Sequence, residues 1–234
     1  MLAPLDKELV SHLPSSCRIV SYCNHGYDGE NIEALQQRGI WYCNSAGGAT
    51  ECTADIGLFL IMAVFRFTSF GELTLRERGE ARQSFVQEIC AEAQEPYGKV
   101  LGIVGMGDIS TAAARRARAL GVKIHYFSRR RKTPDIEESL GNAVYYGNVE
   151  RLFEACDCLL LTCPYTPDTH HLVNVISLAN MKRGSRIVNI GRGKCVDENA
   201  LAGALETGHI KSAALDVFHD EQVIRSLQML LYLC

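Results

Sequence analysis

The sequence predicts an α/β protein whose larger part is a doubly wound parallel sheet, on three observations. Apolar runs of strand length alternate with helix-like runs along residues 97–234. These strand runs are apolar almost throughout, which is typical of strands covered on both faces. A glycine-rich turn directly follows the first of them. A polar stretch with helix breakers, Gln94-Glu-Pro-Tyr-Gly98, divides the chain into two predicted domains, residues 1–96 and 97–234.

The first domain has the order β–α–β–α, which implies that its two strands pair in parallel. Its first helix ends at Gly39, a frequent helix terminator. Two parallel strands are too few to make an independent layer, so we expect this domain to be incomplete. The predicted elements are the strands Arg18–Cys23 and Ile40–Cys43 and the helices Glu30–Arg38 and Thr50–Arg76.

The second domain contains enough strands for a complete doubly wound fold. The predicted strands are Val100–Val104, Val122–Phe127, Ala143–Tyr146, Cys158–Thr162, Arg186–Asn189 and Ala213–Val217. The predicted helices between them are Ser110–Leu120, Asn148–Ala155, Ile176–Asn180 and Glu198–Glu206.

The turn after the first strand of this domain matches the pattern GxGxxG, except that its last position is Ser110. Gly105 would permit the tight turn, and Gly107 would let the backbone approach a pyrophosphate. Asp108 and Ile109 open the following helix, whose N-terminus favours an anion. Because the motif follows a strand and begins a helix, it predicts dinucleotide binding; the alternative is a purely structural glycine turn.

The end of the second strand indicates which dinucleotide is preferred. NAD-binding proteins place a carboxylate there for the ribose 2′-hydroxyl, but this chain has no acid from Leu120 to Pro134. Ser128 occupies the acidic position, and Arg129 and Arg130 follow it. A hydroxyl and forked guanidinium groups suit a 2′-phosphate, so NADP is favoured over NAD. The alternative is a solvated basic loop.

Composition and charge exclude several classes of protein. The 234 residues carry 24 basic and 27 acidic side chains, a net charge of −3. This weak acidic balance argues against binding to nucleic acid or to an anionic membrane. The N-terminal segment does not have the pattern of a signal peptide, and the longest apolar run, Ile56–Phe65, is too short to span a bilayer. We therefore expect a cytoplasmic protein.

The ten cysteines do not form a metal site or a disulfide framework in this prediction. No pair has CxxC spacing, and Cys156 and Cys158 are too close in sequence for a zinc knuckle. Several lie within apolar runs, as expected of reduced, buried thiols. We predict no bound metal.

Three later segments make the sequence resemble a known family. They are Thr162-Cys-Pro-Tyr-Thr166 with Thr169-His-His-Leu172, Met181 to Leu201 with its Gly191-Arg-Gly193 core, and Ala213-Ala-Leu-Asp216-Val-Phe218. In this order behind GxGxxG, they resemble the D-isomer-specific 2-hydroxyacid dehydrogenases, which include glyoxylate/hydroxypyruvate reductases. The resemblance implies a Rossmann cofactor domain, an incomplete flavodoxin-like substrate domain, a homodimer, and hydride transfer between NAD(P)H and a small 2-keto or 2-hydroxy acid.

The resemblance also implies roles for single residues. Arg192 would hold the substrate carboxylate and polarise the reacting carbonyl, and Glu221 would pair with a catalytic histidine. Asp216 would orient the nicotinamide carboxamide, whereas His170 and His171 are expected to be structural. Further cofactor contacts are implied for Thr162, Cys163, Pro164, Ile190 and Gly191, and substrate contacts for Asn24, His25 and Gly26.

The resemblance leaves the activity of this chain open. The family's general acid is a histidine in a Pro-His-Gly segment beyond the glutamate, but none of the seven histidines follows His219. We interpret the chain as truncated at both ends relative to the family. Loss of a general acid typically lowers the rate about 10²–10⁴-fold. The alternatives are a non-catalytic NAD(P)-binding regulatory module and a truncated gene product without function.

Overall fold

The computed structural model describes residues 5–23, 26–28, 30–78, 87 and 90–219. Internal contacts divide the chain into two compact units, Met1–Thr50 and Glu51–Cys234. The first contains the elements α1 (Lys7–His12), β1 (Ile19–Ser21), α2 (Ile32–Gln37) and β2 (Trp41–Cys43).

In the first unit, β1 and β2 pair in parallel with α2 between them, as the β–α–β order predicted. Each helix begins at a capping side chain: Asp6 accepts from the Leu9 N–H at 2.7 Å, and Asn31 accepts from the Ala34 N–H at 2.9 Å. The small core of this unit consists of Leu5, Val10, Leu35 and Ile40.

The second unit continues from the long helix α3 (Thr50–Arg66) through alternating helices and strands. They are α4 (Thr68–Arg78), β3 (Val100–Val104), α5 (Asp108–Arg118), β4 (Lys123–Phe127), α6 (Pro134–Ser139), β5 (Val144–Tyr146), α7 (Val149–Ala155), β6 (Cys158–Leu161), α8 (Val175–Asn180), β7 (Ser185–Asn189), α9 (Glu198–Glu206) and β8 (Ile210–Leu215).

These six strands form one parallel sheet in the order β5-β4-β3-β6-β7-β8. Successive residues of a strand face opposite sides, and β6 shows this directly. Cys158 and Leu160 belong to one apolar cluster, and Leu159 and Leu161 belong to the other. Helices α3 and α5 contribute to the first cluster, and α7, α8 and α9 to the second. The predicted doubly wound fold is confirmed, and its strand order reverses between β3 and β6, where such folds bind ligands.

The internal contacts divide the chain at Thr50/Glu51, and the domain boundary at 96/97 stays a prediction. Helix α3 groups with the second unit because it buries Ala54, Ile61 and Val64 in the same cluster as the strands of the sheet. Arg116 of α5 also forms ion pairs with Glu51 at 2.6 Å and with Asp55 at 2.7 Å. The helix breakers at 94–98 are a local signal, whereas the grouping of α3 depends on these long-range contacts.

Three element predictions differ from the structure, and one of them is the helix α1 (Lys7–His12), which was not predicted. The single helix predicted over Thr50–Arg76 is broken at Phe67, which has φ +54° and separates α3 from α4. The short helix α6 was not predicted; it starts at Pro134, a residue that is favourable in the first turn.

In the part of the chain that the structure describes, no single helix is long and apolar enough to cross a membrane. The pair Thr50–Arg66 and Thr68–Arg76, bent by 72°, meets that length and composition only when taken together.

Candidate cofactor and active site

The turn after β3 requires glycine at its first position, Gly105. The backbone there has φ +92°, which L side chains rarely adopt, and the N–H donates to the Phe127 carbonyl at 2.9 Å. A Cβ atom on Gly105 would lie 3.0 Å from both the backbone nitrogen and the Cα of Cys163. The turn therefore packs tightly against the ends of β4 and β6.

Gly107 has open space where Gly105 is crowded. It is the exposed N-cap residue of α5, and a Cβ atom on it would meet no protein atom within 4 Å. Among the described residues no side chain caps this helix, whose first turn contains Asp108 and Ile109. Ser110 is buried, and its hydroxyl donates to the Gly107 carbonyl at 3.1 Å. An uncapped helix N-terminus with room beside it is suited to a pyrophosphate.

The loop after β4 presents two exposed arginines, Arg129 and Arg130. The Ser128 hydroxyl donates its hydrogen to the Arg130 carbonyl at 2.6 Å. In this arrangement the Ser128 oxygen can accept from a ribose hydroxyl but has no second hydrogen to donate to a phosphate. The two guanidinium groups are therefore the side-chain donors of Ser128–Arg130 that suit a phosphate.

The next arginine, Arg131, is paired with Glu137, a residue that sequence reasoning missed. The Arg131 guanidinium donates from Nε to Oε1 at 2.9 Å and from Nη2 to Oε2 at 2.8 Å. The buried Tyr126 hydroxyl donates to Oε1 at 2.6 Å. The bonds from Arg131 and from Tyr126 lower the pKa of Glu137 to about 2. Burial, followed by the bond to Glu137, raises the pKa of Tyr126 to about 12.

The segments after β3, β6 and β7 meet at the carboxyl edge of the sheet, where the strand order reverses. The Thr162 hydroxyl lies 2.6 Å from the Gly105 carbonyl oxygen, to which it donates, and a Cβ on Gly191 would lie 3.0 Å from the Cys163 carbonyl oxygen. The Sγ atoms of Cys163 and Cys195 are 4.0 Å apart. The neighbouring Cys195 thiol and burial raise the pKa of Cys163 above its usual range, so Cys163 remains a neutral thiol.

Two other predicted cofactor residues follow the same strands, β6 and β7, in different surroundings. Pro164 is exposed. Ile190 is buried within the first apolar cluster, and a Cβ on Gly57 of α3 would lie 2.9 Å from its Cδ1. Only the backbone of Ile190 is therefore placed to contact a ligand.

The loop that carries Arg192 is held by Asn189, which sequence reasoning also missed. The Asn189 side chain accepts from the Gly191 N–H at 3.0 Å and donates to the Arg192 carbonyl at 3.0 Å. Its own carbonyl accepts from the Asp216 N–H at 2.9 Å. The guanidinium of Arg192 donates to the Gly191 carbonyl at 2.8 Å. The side chain of the buried Asn189 thus holds the backbone at Arg192, and its main-chain carbonyl holds the backbone at Asp216, at the carboxyl ends of β7 and β8.

The two consecutive histidines lie in a row of rings beside this loop. His170 and His171 stack with their ring centroids 4.0 Å apart, and His219 lies 5.6 Å beyond His171. The His171 N–H donates to the Lys194 carbonyl at 3.0 Å. These contacts give both histidines a packing role, and a catalytic role is not required to explain them.

The remaining predicted site residues do not belong to the described part of the second unit. Asn24, His25 and Glu221 lie outside the described residues, and Gly26 belongs to the first unit. Within the described ranges no group of three His, Cys, Asp or Glu side chains could hold a metal ion.

Comparison with known proteins adds a family to this geometry. Residues 58–231 match the family model described as "D-isomer specific 2-hydroxyacid dehydrogenase, NAD binding domain". A glyoxylate reductase from Korarchaeum cryptofilum is 38% identical over 220 residues, which cover 94% of this chain and 64% of the relative. The 4-methyl-2-oxopentanoate reductase A of Aspergillus oryzae is 34% identical over 221 residues, with the same two coverages.

A solved structure is similar over nearly the whole chain. The holo form of D-mandelate dehydrogenase from Rhodotorula graminis superposes with a TM-score of 0.90 at 36% identity. The match covers 97% of this chain and 66% of that one, so the chain spans just under two thirds of the length of these relatives. The open N-terminus of α5 fits the nicotinamide dinucleotide that the family model implies. The chain belongs to the D-isomer-specific 2-hydroxyacid dehydrogenase family.

Proposed function

We propose that this chain binds NADP(H) in preference to NAD(H) and serves hydride transfer to a small 2-keto acid such as glyoxylate or hydroxypyruvate. The observation that carries the proposal is the uncapped N-terminus of α5, which has open space at Gly107. The exposed Arg129 and Arg130 support the preference for a 2′-phosphate. The named relatives support the substrate class, since they include glyoxylate reductases.

Each part of the proposed site has a separate task. When bound, the nicotinamide supplies the hydride chemistry. The amides of the first turn of α5 bind the pyrophosphate, and Gly105 keeps the turn close to the strands. Arg192 binds the substrate carboxylate and polarises the carbonyl, because a guanidinium stays charged and has a fork of donors. We further propose that Asp216 orients the carboxamide, that Glu221 assists the proton transfer, and that Asn24, His25 and Gly26 contact the substrate.

The test compares cofactor binding with turnover. Purified chain is titrated with NADPH and NADH by fluorescence, and absorbance is then followed after glyoxylate or hydroxypyruvate is added. Tighter binding of NADPH together with turnover supports the whole proposal. Binding without turnover supports a non-catalytic cofactor-binding module, and no binding of either cofactor rules out both readings.

Two variants assign the roles. Replacing Arg129 and Arg130 with Met should weaken NADPH binding by at least about tenfold, because charged hydrogen bonds contribute about 1.5–3 kcal/mol, and should leave NADH binding unchanged. Arg151→Met is the matched control, since Arg151 is exposed on α7. Arg192→Lys should retain cofactor binding and lose about 10²–10³-fold in turnover.

The localisation and the oligomeric state of the protein also stay predictions. We propose a cytoplasmic protein on the pattern of the sequence alone, and a homodimer on the family resemblance. Size-exclusion chromatography with light scattering tests the dimer, and a single species of about 26 kDa, the mass of one chain, contradicts it.

A further inference from the structure

The loop Ser128–Lys132 is short and is fastened to the sheet at both ends. It connects the last residue of β4, Phe127, with Thr133, the N-cap of α6. The Lys132 N–H donates to the Tyr126 hydroxyl at 2.9 Å. The Tyr145 hydroxyl donates to the Ser128 carbonyl at 3.3 Å. The backbone is therefore held between tyrosines of β4 and β5.

The carboxylate of Glu137 completes this arrangement. It receives the Tyr126 hydroxyl and both donors of the Arg131 fork, and its side chain is only 10% exposed. The guanidinium of Arg131 also lies 5.9 Å from the centre of the Tyr145 ring. The carboxylate of Glu137 on α6 therefore holds two side chains, the guanidinium of Arg131 and the hydroxyl of Tyr126.

The same contacts divide the arginines of the loop into two kinds. The charge of Arg131 is balanced by Glu137, so this side chain is committed to the protein. Arg129 and Arg130 are exposed, and neither forms an ion pair with another described residue. A loop that is already ordered loses less conformational freedom when its arginines bind a ligand.

We infer that Glu137 is a positioning residue for the discrimination of NADP(H) from NAD(H). It acts through Tyr126 and Arg131, which hold the loop so that Arg129 and Arg130 meet the 2′-phosphate. The inference rests on the proposed function. NAD(H) has no phosphate at this position, so its binding does not depend on the loop arginines.

The test measures the dissociation constants of NADPH and NADH for the full chain and for Glu137→Gln, by fluorescence titration. We expect the constant for NADPH to rise about tenfold and that for NADH to change less than about twofold. A destabilised fold alone would weaken the binding of both cofactors equally. The ratio of the two dissociation constants is therefore the decisive measurement.

The matched control is Glu138→Gln, which alters the exposed neighbour of Glu137 on the same helix. Both variants remove one negative charge, and long-range electrostatics alone would tighten NADPH binding in both. A loss of NADPH affinity confined to Glu137→Gln therefore reports positioning and not charge.

Arg131→Met excludes a direct role for that arginine. If Arg131 bound the phosphate itself, Arg131→Met would weaken NADPH binding while Glu137→Gln would retain or improve it. Under the inference, Arg131→Met and Glu137→Gln both weaken NADPH binding. The variant with both changes binds NADPH no more weakly than the weaker-binding single variant, because each change already breaks the same ion pair.

The outcomes separate the inference from the function on which it rests. If the unaltered chain binds neither cofactor, the proposed function fails. If it prefers NADPH and Glu137→Gln keeps that preference with an unchanged melting temperature, only the inference fails. If Glu137→Gln does not fold, Tyr126→Phe decides, since it removes the hydroxyl and keeps the ring: a retained preference overturns the inference.

Discussion

The backbone requires glycine at Gly105, whereas we propose that the cofactor requires it at Gly107, and alanine substitutions should separate the two reasons. Gly105→Ala forces a side chain into φ +92° and against the backbone of Cys163, so we expect a loss of about 1–3 kcal/mol in unfolding free energy. Gly107→Ala keeps an ordinary φ of −92° and meets no protein atom. It should leave the melting temperature unchanged and reduce the increase that NADPH causes. Thermal melts with and without NADPH measure both effects.

Equal melting temperatures for the two glycine variants would contradict this assignment. A full NADPH-induced increase in Gly107→Ala would show that the cofactor does not approach the backbone at that position.

Glu137 also predicts a dependence of stability on pH. Its folded-state pKa, about 2, lies below the usual value of about 4.3 in an unfolded chain. The carboxylate therefore stabilises the fold above about pH 4.3, and this stabilisation is lost as the pH falls towards 2. In urea denaturation, the unaltered chain should lose more stability between pH 5 and pH 3 than Glu137→Gln does. Parallel curves for the two proteins would contradict the pairing with Arg131.

At the scale of elements, the end of α3 is held by β8, an edge strand of the sheet, and by its neighbour β7. The break at Phe67 interrupts the helix, and the Val64 carbonyl accepts from Arg186 Nε at 3.0 Å and from the Ser212 hydroxyl at 2.8 Å. The guanidinium of Arg186 lies 4.4 Å from the centre of the Phe65 ring. A cation is favourable at a helix C-terminus, and here it is almost fully buried.

We predict that the two donors to Val64 compensate for one another. Ser212→Ala should lower the unfolding free energy by about 0.5–1.5 kcal/mol, because Arg186 still satisfies the carbonyl. Combining it with Arg186→Met should cost more than the sum of the single changes, because a buried carbonyl then loses both side-chain donors. Urea denaturation of the four proteins in this cycle measures the coupling, and strict additivity would contradict it. Ser139→Ala, at an exposed hydroxyl, is the control.

At the scale of the whole molecule, the two compact units differ in their cores. The first has a two-stranded sheet, and the second has six strands with apolar clusters on both faces. Two strands are marginal on their own, so hydrogen exchange should be fast in β1 and β2 and slowest in β3, β6 and β7. Mass spectrometry of exchanged peptides tests this ranking. Protection of β1 as strong as that of β6 would contradict it.

The sequence predicted those parts of the fold that depend on patterns among neighbouring residues. The apolar runs identified each strand of the large sheet within a few residues, and GxGxxG placed Gly105 and Gly107 at the end of β3. Asn189 and Glu137 were missed because their importance comes from partners in space. An asparagine inside an apolar strand and a glutamate in a polar segment have no local feature that reports those partners.

The Val64 carbonyl also constrains the order in which the molecule can be completed. Its two donors lie 122 and 148 residues further along the chain. During synthesis on a ribosome, α3 leaves the exit tunnel long before either donor has been made, and water must satisfy this carbonyl in the interval. Contacts over such separations form late, since a large loop must close first. The C-terminal end of α3 therefore has both of its side-chain hydrogen bonds only after β8, the last strand of the sheet, has been made and has paired.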